Sequence, residues 1–442
     1  MNYDKLREID LRHLWHPFSD FSALESADFP IISRAAGICL FDVRGRVILD
    51  GISSWWCVNL GHSHPMLVEA IRSQGSMLQH SILGGMSHPG AIALAQRLAE
   101  VTPEGLNRVF FASDGASAVE AAMRMAIEYW YHHGQAEKKN FISLRDAYHG
   151  DTLKAVSLGF VEHYHHPVAH VVEQAWRADS PHCFHCPHRR DDNSCKIECF
   201  ESMRKLVETH ANEVAAVVIE PICQAAAGMR IYKPEYLQQL RALCDEHDLL
   251  LIADEIAVGF GRSGLLFACD HAGISPDIMC LGKGLTGGYL PMSAAVTTDR
   301  VADTFRSKGG ETRMFCHGHT FCGNPIAAAT ALAVLETYEQ DDILSGAEAT
   351  MGILAEGFAN FAKRNEVANA ATLGMMSSME ISESAGGAKA ARQIADNALE
   401  RGLFIRPLGN ILYLWPAMIT TPQEMKQMLS ILDDAMDSKV DH

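Results

Sequence analysis

At 442 residues, 48% of them hydrophobic, the chain exceeds what one hydrophobic core usually organises and can supply two. Acidic side chains outnumber basic ones 54 to 37, giving a net charge of -17, which opposes tight binding to a nucleic-acid backbone or an anionic membrane surface. No segment is long and apolar enough to span a bilayer, and the opening MNYDKLREIDLRHLW mixes charge signs where a secretory leader has a basic end and an apolar core. The expectation is a cytoplasmic protein with no nucleic-acid or membrane partner. Twelve cysteines are diluted over a large chain, and Cys280 and Cys316 read as small buried thiols.

In chain order, residues 38–50, ICLFDVRGRVILD, predict a hairpin around Arg44 and Gly45. Apolar runs then recur at RVFFAS (from Arg108), NFISLRD (140–146), EVAAVVIE (213–220), LLLIADE (249–255), DIMCLGK (277–283) and LPMSAAVTT (290–298). Most are continuous rather than alternating, as in strands covered on both faces. Helical patterns over 118–131, 201–211 and 234–247 separate several of them, which gives the βαβ rhythm of a mostly parallel sheet. Beyond about residue 335 helices alternate with short strand-like runs such as LFIRP and ILYLWP. The expected organisation is a large domain over 61–330, with 1–60 and 331–442 combining into a smaller one.

Four runs end in residues of compatible chemistry. Lys283, between glycines after DIMCLG, is placed at a strand end, where open parallel sheets bind ligands. There it reads either as an amine able to form an imine with a carbonyl or as a solvated lysine in a turn. Asp254 closes LLLIAD and reads as a partner for a protonated pyridine nitrogen, a helix cap or a metal ligand; Glu255 beside it orients backbone or pairs with Arg262. The start of the helix at Gly115, Ala116 and Ser117 suits a phosphate, or is a capped helix and nothing more. Tyr148, with Gly150 close by, could stack on a flat ring or pack in the core. Together the four meet what pyridoxal phosphate needs: an imine lysine, a pyridine partner, a stacking surface and a phosphate cradle.

The ordered set SDGASAVEAA, DAYHG, IEP, LLIADEIAVGFGRSG, PDIMCLGKGLTGG and HGHTFCGNP resembles class III of the fold-type I pyridoxal-phosphate aminotransferases over nearly the whole chain. That resemblance implies an α/β fold with a mostly parallel seven-stranded sheet in the large domain and a smaller α+β domain built from both termini. It implies pyridoxal 5'-phosphate held by Lys283, with Asp254 at the ring nitrogen, Tyr148 over the ring and Gly115 with Ala116 at the phosphate. Thr320 resembles a threonine that reaches the partner subunit's cofactor, with Gly318 beside it in the substrate site, so a homodimer with composite active sites is implied.

LWHPF, DGISSWWCVNLGHSHP and RPLGNILYLWP look most like the branch that aminates 8-amino-7-oxononanoate in biotin synthesis with S-adenosylmethionine as donor. By that likeness Phe18, Trp55, Trp56, Tyr148, Arg406 and Tyr413 join Gly318 in the substrate site, Arg406 receiving a carboxylate while aromatics cover a methylene chain. Phe18 stands where the branch usually has a tyrosine, and SDGAS departs from the usual phosphate segment, so lysine or another amine stays open as donor. A dinucleotide-binding dehydrogenase is disfavoured: GKGLTG (282–287) has the G-x-G-x-x-G spacing after a strand run, but no helical pattern follows it, as a dinucleotide site requires.

In HCFHCPHRRDDNSCKIEC (182–199), Cys183, Cys186, Cys195 and Cys199 have ligand chemistry but irregular spacing. They read as thiols of a loop near the surface, with structural zinc as the alternative, and no metal is expected in the active site. The histidines of HYHHP, from His163, read as a solvated loop.

Overall fold

The computed structural model describes residues 2–186, 188 and 195–438; the side chain of His163 also lies outside the description. A seven-stranded sheet runs in spatial order Leu106–Ala112, Ser293–Thr298, Ile278–Leu281, Leu250–Asp254, Val214–Ile219, Asn140–Leu144 and Trp176–Ala178. Val214–Ile219, Leu250–Asp254 and Ile278–Leu281 are buried at every residue, which explains why their sequences are apolar without alternation. Neighbours pair in parallel, with Ala253 opposite both Ile219 and Met279. Ser293–Thr298 alone is reversed, antiparallel to both strands beside it.

The helix Gly115–His132 lies against this sheet through alanines at 118, 122 and 126, whose small side chains permit close approach. Asp114 caps it, accepting from the Ser117 amide at 2.9 Å, so it begins three residues before the predicted pattern. Phe200–His210 and Pro234–Glu246 supply the other two predicted helices.

Both ends of the chain meet in one small sheet. Ile32–Ala36, Cys39–Asp42 and Val47–Asp50 form an antiparallel set, and Leu403–Phe404 adds in parallel with Leu403 opposite Leu49. The predicted hairpin is present: Asp42 Oδ1 accepts from the amides of Arg44 and Arg46, and Gly45 takes φ +87°. A second small sheet joins Val367–Leu373, Met376–Ile381 and Ile411–Leu414.

One side-chain expectation, the burial of Cys316, is corrected, and of the two alternatives for Glu255 the structure has the one that orients backbone. Cys316 is exposed, while Cys280 is buried in its strand. Arg262 does not pair with Glu255. Its guanidinium is fully buried, donating to Asn59 Oδ1 at 2.7 Å and to the Pro416 carbonyl, whereas Glu255 accepts from the amides of Ala268 and Cys269 at 2.9 and 2.8 Å. The buried carboxylate is met by backbone amides and the buried guanidinium by the Asn59 side chain and a backbone carbonyl instead of by each other, with Arg262 Nε left unpartnered. Among the described residues no helix is long and apolar enough to cross a membrane.

Candidate active site

The carboxyl ends of the parallel strands open into a cavity of about 550 Å³ that collects Lys283, Asp254, Tyr148 and the helix start at Gly115 and Ala116. Asp254 is the last residue of its strand and only 5% exposed. Its Oδ1 accepts from the Ile256 amide at 3.1 Å, and its Oδ2 accepts from His149 Nδ1 at 2.7 Å. His149 is itself buried, and its Nε2 has no partner. The DAYHG run thus delivers two functions on consecutive residues: Tyr148 into the cavity and His149 behind the carboxylate.

Lys283 begins the short turn after Ile278–Leu281 and holds φ +44°, a left-handed conformation that is uncommon outside glycine. Close packing fixes it, since a Cβ on the next residue, Gly284, would stand 2.3 Å from Asn59 Nδ2. Its Nζ lies 5.1 Å from the centre of the Trp56 indole. Burial lowers the Lys283 pKa, with the charge of Asp254 working in the opposite direction. The neutral, nucleophilic amine is therefore reached at lower pH than for a solvated lysine.

At the phosphate end, the Ser117 amide is occupied by the Asp114 cap, leaving Gly115 and Ala116 as the part of the helix start that lines the cavity. Gly150 presses on them at φ +114°, where an added Cβ would fall 2.5 Å from that of Ala116. Tyr148 donates its hydroxyl to Asp151 Oδ2 at 2.7 Å, and the other oxygen of Asp151 accepts from His165 at 3.2 Å. Burial, then that hydrogen bond, pushes the Tyr148 phenol far above its ordinary range, so it stays protonated. Glu220 also lines the cavity, with Oε2 unpartnered. Burial and the nearby Asp254 charge push its pKa up, favouring the neutral acid.

An outer group of side chains flanks this cavity. Arg406 lies 4.7 Å from the Trp55 ring and 5.8 Å from that of Phe18, and donates to the Phe18 carbonyl at 3.2 Å. Phe18 meets both Trp55 and Tyr164 edge to face at 5.5 Å. Trp56 stacks on Trp415 at 5.0 Å and meets Tyr413 at 6.1 Å. Gly318 and Thr320 are exposed and do not line the cavity. His149, Asp151, Glu220 and Tyr164 were given no role by sequence reasoning. For the first two the signal was their adjacency to Tyr148, and for Glu220 its place after a strand run. Tyr164 sits in a short helical segment with no such mark.

Burial, then the charges of Cys183, Cys186 and Cys195, raises the Cys199 pKa to about 12. Among the described residues no group of three histidine, cysteine or acidic side chains is arranged to hold a metal. Residues 187 and 189–194 of this loop lie outside the description.

The residues present fit pyridoxal phosphate. A buried carboxylate faces the cavity at one strand end, an amine at the next, and the amides of an 18-residue helix open on the same space. Residues 22–436 match the family Aminotransferase class-III. The chain is 38% identical over 439 residues to the adenosylmethionine-8-amino-7-oxononanoate aminotransferase of Geobacter sulfurreducens, covering 98% of this chain and 97% of that one. It superposes on the crystal structure of the enzyme of that name from Methanocaldococcus jannaschii with a TM-score of 0.93 at 34% identity, over 98% and 99% of the two chains. An amine transaminase from an uncultivated Pseudomonas species, solved in its PLP-bound form, aligns with a TM-score of 0.90 at 33% identity, over 96% and 98%. Matched to that family over residues 22–436 and to those folds along nearly their full length, this chain belongs to the class III aminotransferases, enzymes that depend on pyridoxal 5'-phosphate.

Proposed function

We propose that the protein transfers an amino group to 8-amino-7-oxononanoate, giving 7,8-diaminononanoate, with S-adenosylmethionine as donor. The observation that carries this reading is the order of side chains from the cavity outward. Lys283 stands against Trp56 in the cavity, and Arg406 stands against Trp55 in the group that flanks it, an amine and a guanidinium each beside an aromatic ring. An acceptor with a ketone at one end, a methylene chain and a terminal carboxylate matches that order.

Pyridoxal phosphate, when bound, supplies a carbonyl that condenses with amines and a ring that takes up the electron pair left on the donor carbon. Lys283 would hold it, and as a free amine is the base that removes the donor's carbon-bound proton and later returns a proton to the acceptor carbon. The lowered pKa of Lys283 suits both directions. Asp254 keeps a proton on the ring nitrogen, and His149 orients that carboxylate. Tyr148 covers the ring, its hydroxyl fixed by Asp151, while Gly115 and Ala116 receive the phosphate. Trp55, Trp56 and Tyr413 enclose the chain of the acceptor, and Arg406 binds its carboxylate.

Residues 61–330 form the large domain in this reading. The exposed Gly318 and Thr320 serve the site of a second copy, Thr320 at the cofactor phosphate, so the working enzyme is a homodimer. Phe18 offers the donor a ring and no hydroxyl, which leaves lysine or another amine as the second donor to examine. Product analysis with S-adenosylmethionine, lysine and a set of ω-amines, each against 8-amino-7-oxononanoate, tests the assignment: the diamine should form fastest from S-adenosylmethionine. Faster amination of an unrelated ketone than of the oxo-acid would refute it.

A further inference from the structure

Ser53, Ser54, Trp55 and Trp56 all hold positive φ, at 49°, 45°, 73° and 72°. Four consecutive non-glycine residues make a turn of left-handed helix, which L-residues avoid because Cβ crowds the following carbonyl. Backbone of this kind persists only where its surroundings over-determine it. Here the surroundings can be named. Asp50, 2% exposed, accepts from the Ser54 amide at 2.9 Å, the Ser54 hydroxyl at 2.7 Å and the Ile52 amide at 3.4 Å. His62 Nε2 completes the carboxylate at 2.9 Å, and its backbone is bridged in both directions to Gly37. On the far side the Ser53 hydroxyl donates to the Trp415 carbonyl at 2.7 Å, and the Trp415 amide donates to Gly51 at 2.7 Å.

The turn has a consequence for the two indoles it carries. It directs Trp56 inward against Lys283, buried on Trp415, and Trp55 outward against Arg406 at 38% exposure. One strained turn therefore sets both aromatic contacts at once, one at the lysine in the cavity and one at the arginine that flanks it. An extended or right-handed backbone would change the relation between the indoles and with it the span available to an acceptor chain.

We propose that Asp50, oriented by His62, is a positioning residue for acceptor length: it holds the left-handed turn 53–56 that spaces Trp56 at the reacting lysine from Trp55 at the carboxylate end. This deepens, and rests on, the assignment of the pocket to a long-chain oxo-acid. The bonds to the Asp50 carboxylate outweigh its burial and keep its pKa below the usual carboxylate range, so it is the charged acceptor that four donors meet. Among the described residues no other group serves Ser54 through both its amide and its hydroxyl.

The test compares kcat/KM for the amino-oxo acid and homologues one and two methylenes shorter, using wild type, Asp50→Asn and Asp50→Asn/Ser54→Gly. A pocket that measures chain length discriminates by about tenfold per methylene. In Asp50→Asn that ratio is expected to collapse towards one, and the near-ultraviolet circular dichroism of the Trp56–Trp415 stack to change. Glycine at 54 tolerates the left-handed backbone without a clamp, so the double variant should recover both signals. If Asp50→Asn lowers kcat/KM for all homologues by one common factor, or the double variant recovers nothing, the proposal is overturned. Should Asp50→Asn not fold, His62→Leu is expected to lose the ratio and His62→Gln, which keeps a donor, to retain it; equal behaviour of the two would contradict the clamp. If wild type does not use this oxo-acid, the functional assignment fails separately, and the same ratio is read on homologues of whichever acceptor it does use.

Discussion

Lys283 and Asp254 are coupled through charge, and that coupling has a measurable sign. Burial lowers the lysine pKa and Asp254 raises it. Competitive reductive methylation of the apo-protein, read by mass spectrometry on the Lys283 peptide, should therefore titrate below the ordinary lysine value of about 10.4. Asp254→Asn removes the opposing charge and should move the midpoint further down; an upward move would show that the Asp254 charge does not raise it, and a wild-type midpoint at or above the ordinary value would show that burial is not the dominant influence. The type of each of these residues was legible in sequence because each follows an uninterrupted apolar run. Their partners were not: His149 reaches Asp254 across 105 positions, and Asn59 reaches Arg262 across 203. Nothing local in a sequence reports a contact made at that separation, which is why the nearby Glu255 stood as an alternative partner for Arg262 and the distant carbonyls did not.

At the scale of elements, the slot for the phosphate depends on one loop pressing on one helix. Gly150→Ala places a Cβ against Ala116 in a backbone conformation that alanine resists. The loop and the start of Gly115–His132 should separate, and cofactor affinity, measured by equilibrium dialysis, should fall by about tenfold or more, a loss of about 1.4 kcal/mol. Ala116→Gly in that background should restore part of it by removing the clash; unchanged affinity in Gly150→Ala would show that the contact is not needed. The strands of the large sheet were readable because burial on both faces leaves continuous apolar runs. The turn at 53–56 was unreadable, since left-handed serine and tryptophan have no compositional signature. Cys316 was misplaced because a thiol flanked by Phe315 and His317 looks apolar by neighbourhood yet lies in an exposed stretch.

For the whole molecule, the strand directions in the large sheet follow from connection lengths. The eleven residues between Leu281 and Ser293 are too few for a helical crossover, so Ser293–Thr298 returns antiparallel, while the longer connections carry helices and give parallel neighbours. The small domain could be anticipated as a union of both ends, but its parallel pairing of Leu403 with Leu49 could not. Arg262 ties these parts together, joining Asn59 before the large sheet to Pro416 after it. Its burial lowers its own pKa to about 10, which still leaves it charged at neutral pH. Arg262→Leu would strand Asn59 Oδ1 and a buried carbonyl, at about 1–3 kcal/mol for each unsatisfied group. The urea midpoint should fall clearly; an unchanged midpoint would mean that water or repacking replaces the guanidinium.

The most direct measurement is a two-step single-turnover experiment on the holoenzyme. Absorbance of the bound cofactor is followed after adding S-adenosylmethionine alone and then 8-amino-7-oxononanoate, in wild type and in Lys283→Ala. The near-visible band should disappear with the donor and return with the acceptor as 7,8-diaminononanoate forms, and Lys283→Ala should complete neither step on the same timescale. A band that ignores S-adenosylmethionine but responds to lysine would move the donor assignment to lysine. Near wild-type cycling by Lys283→Ala would contradict the placement of the chemistry at this strand end.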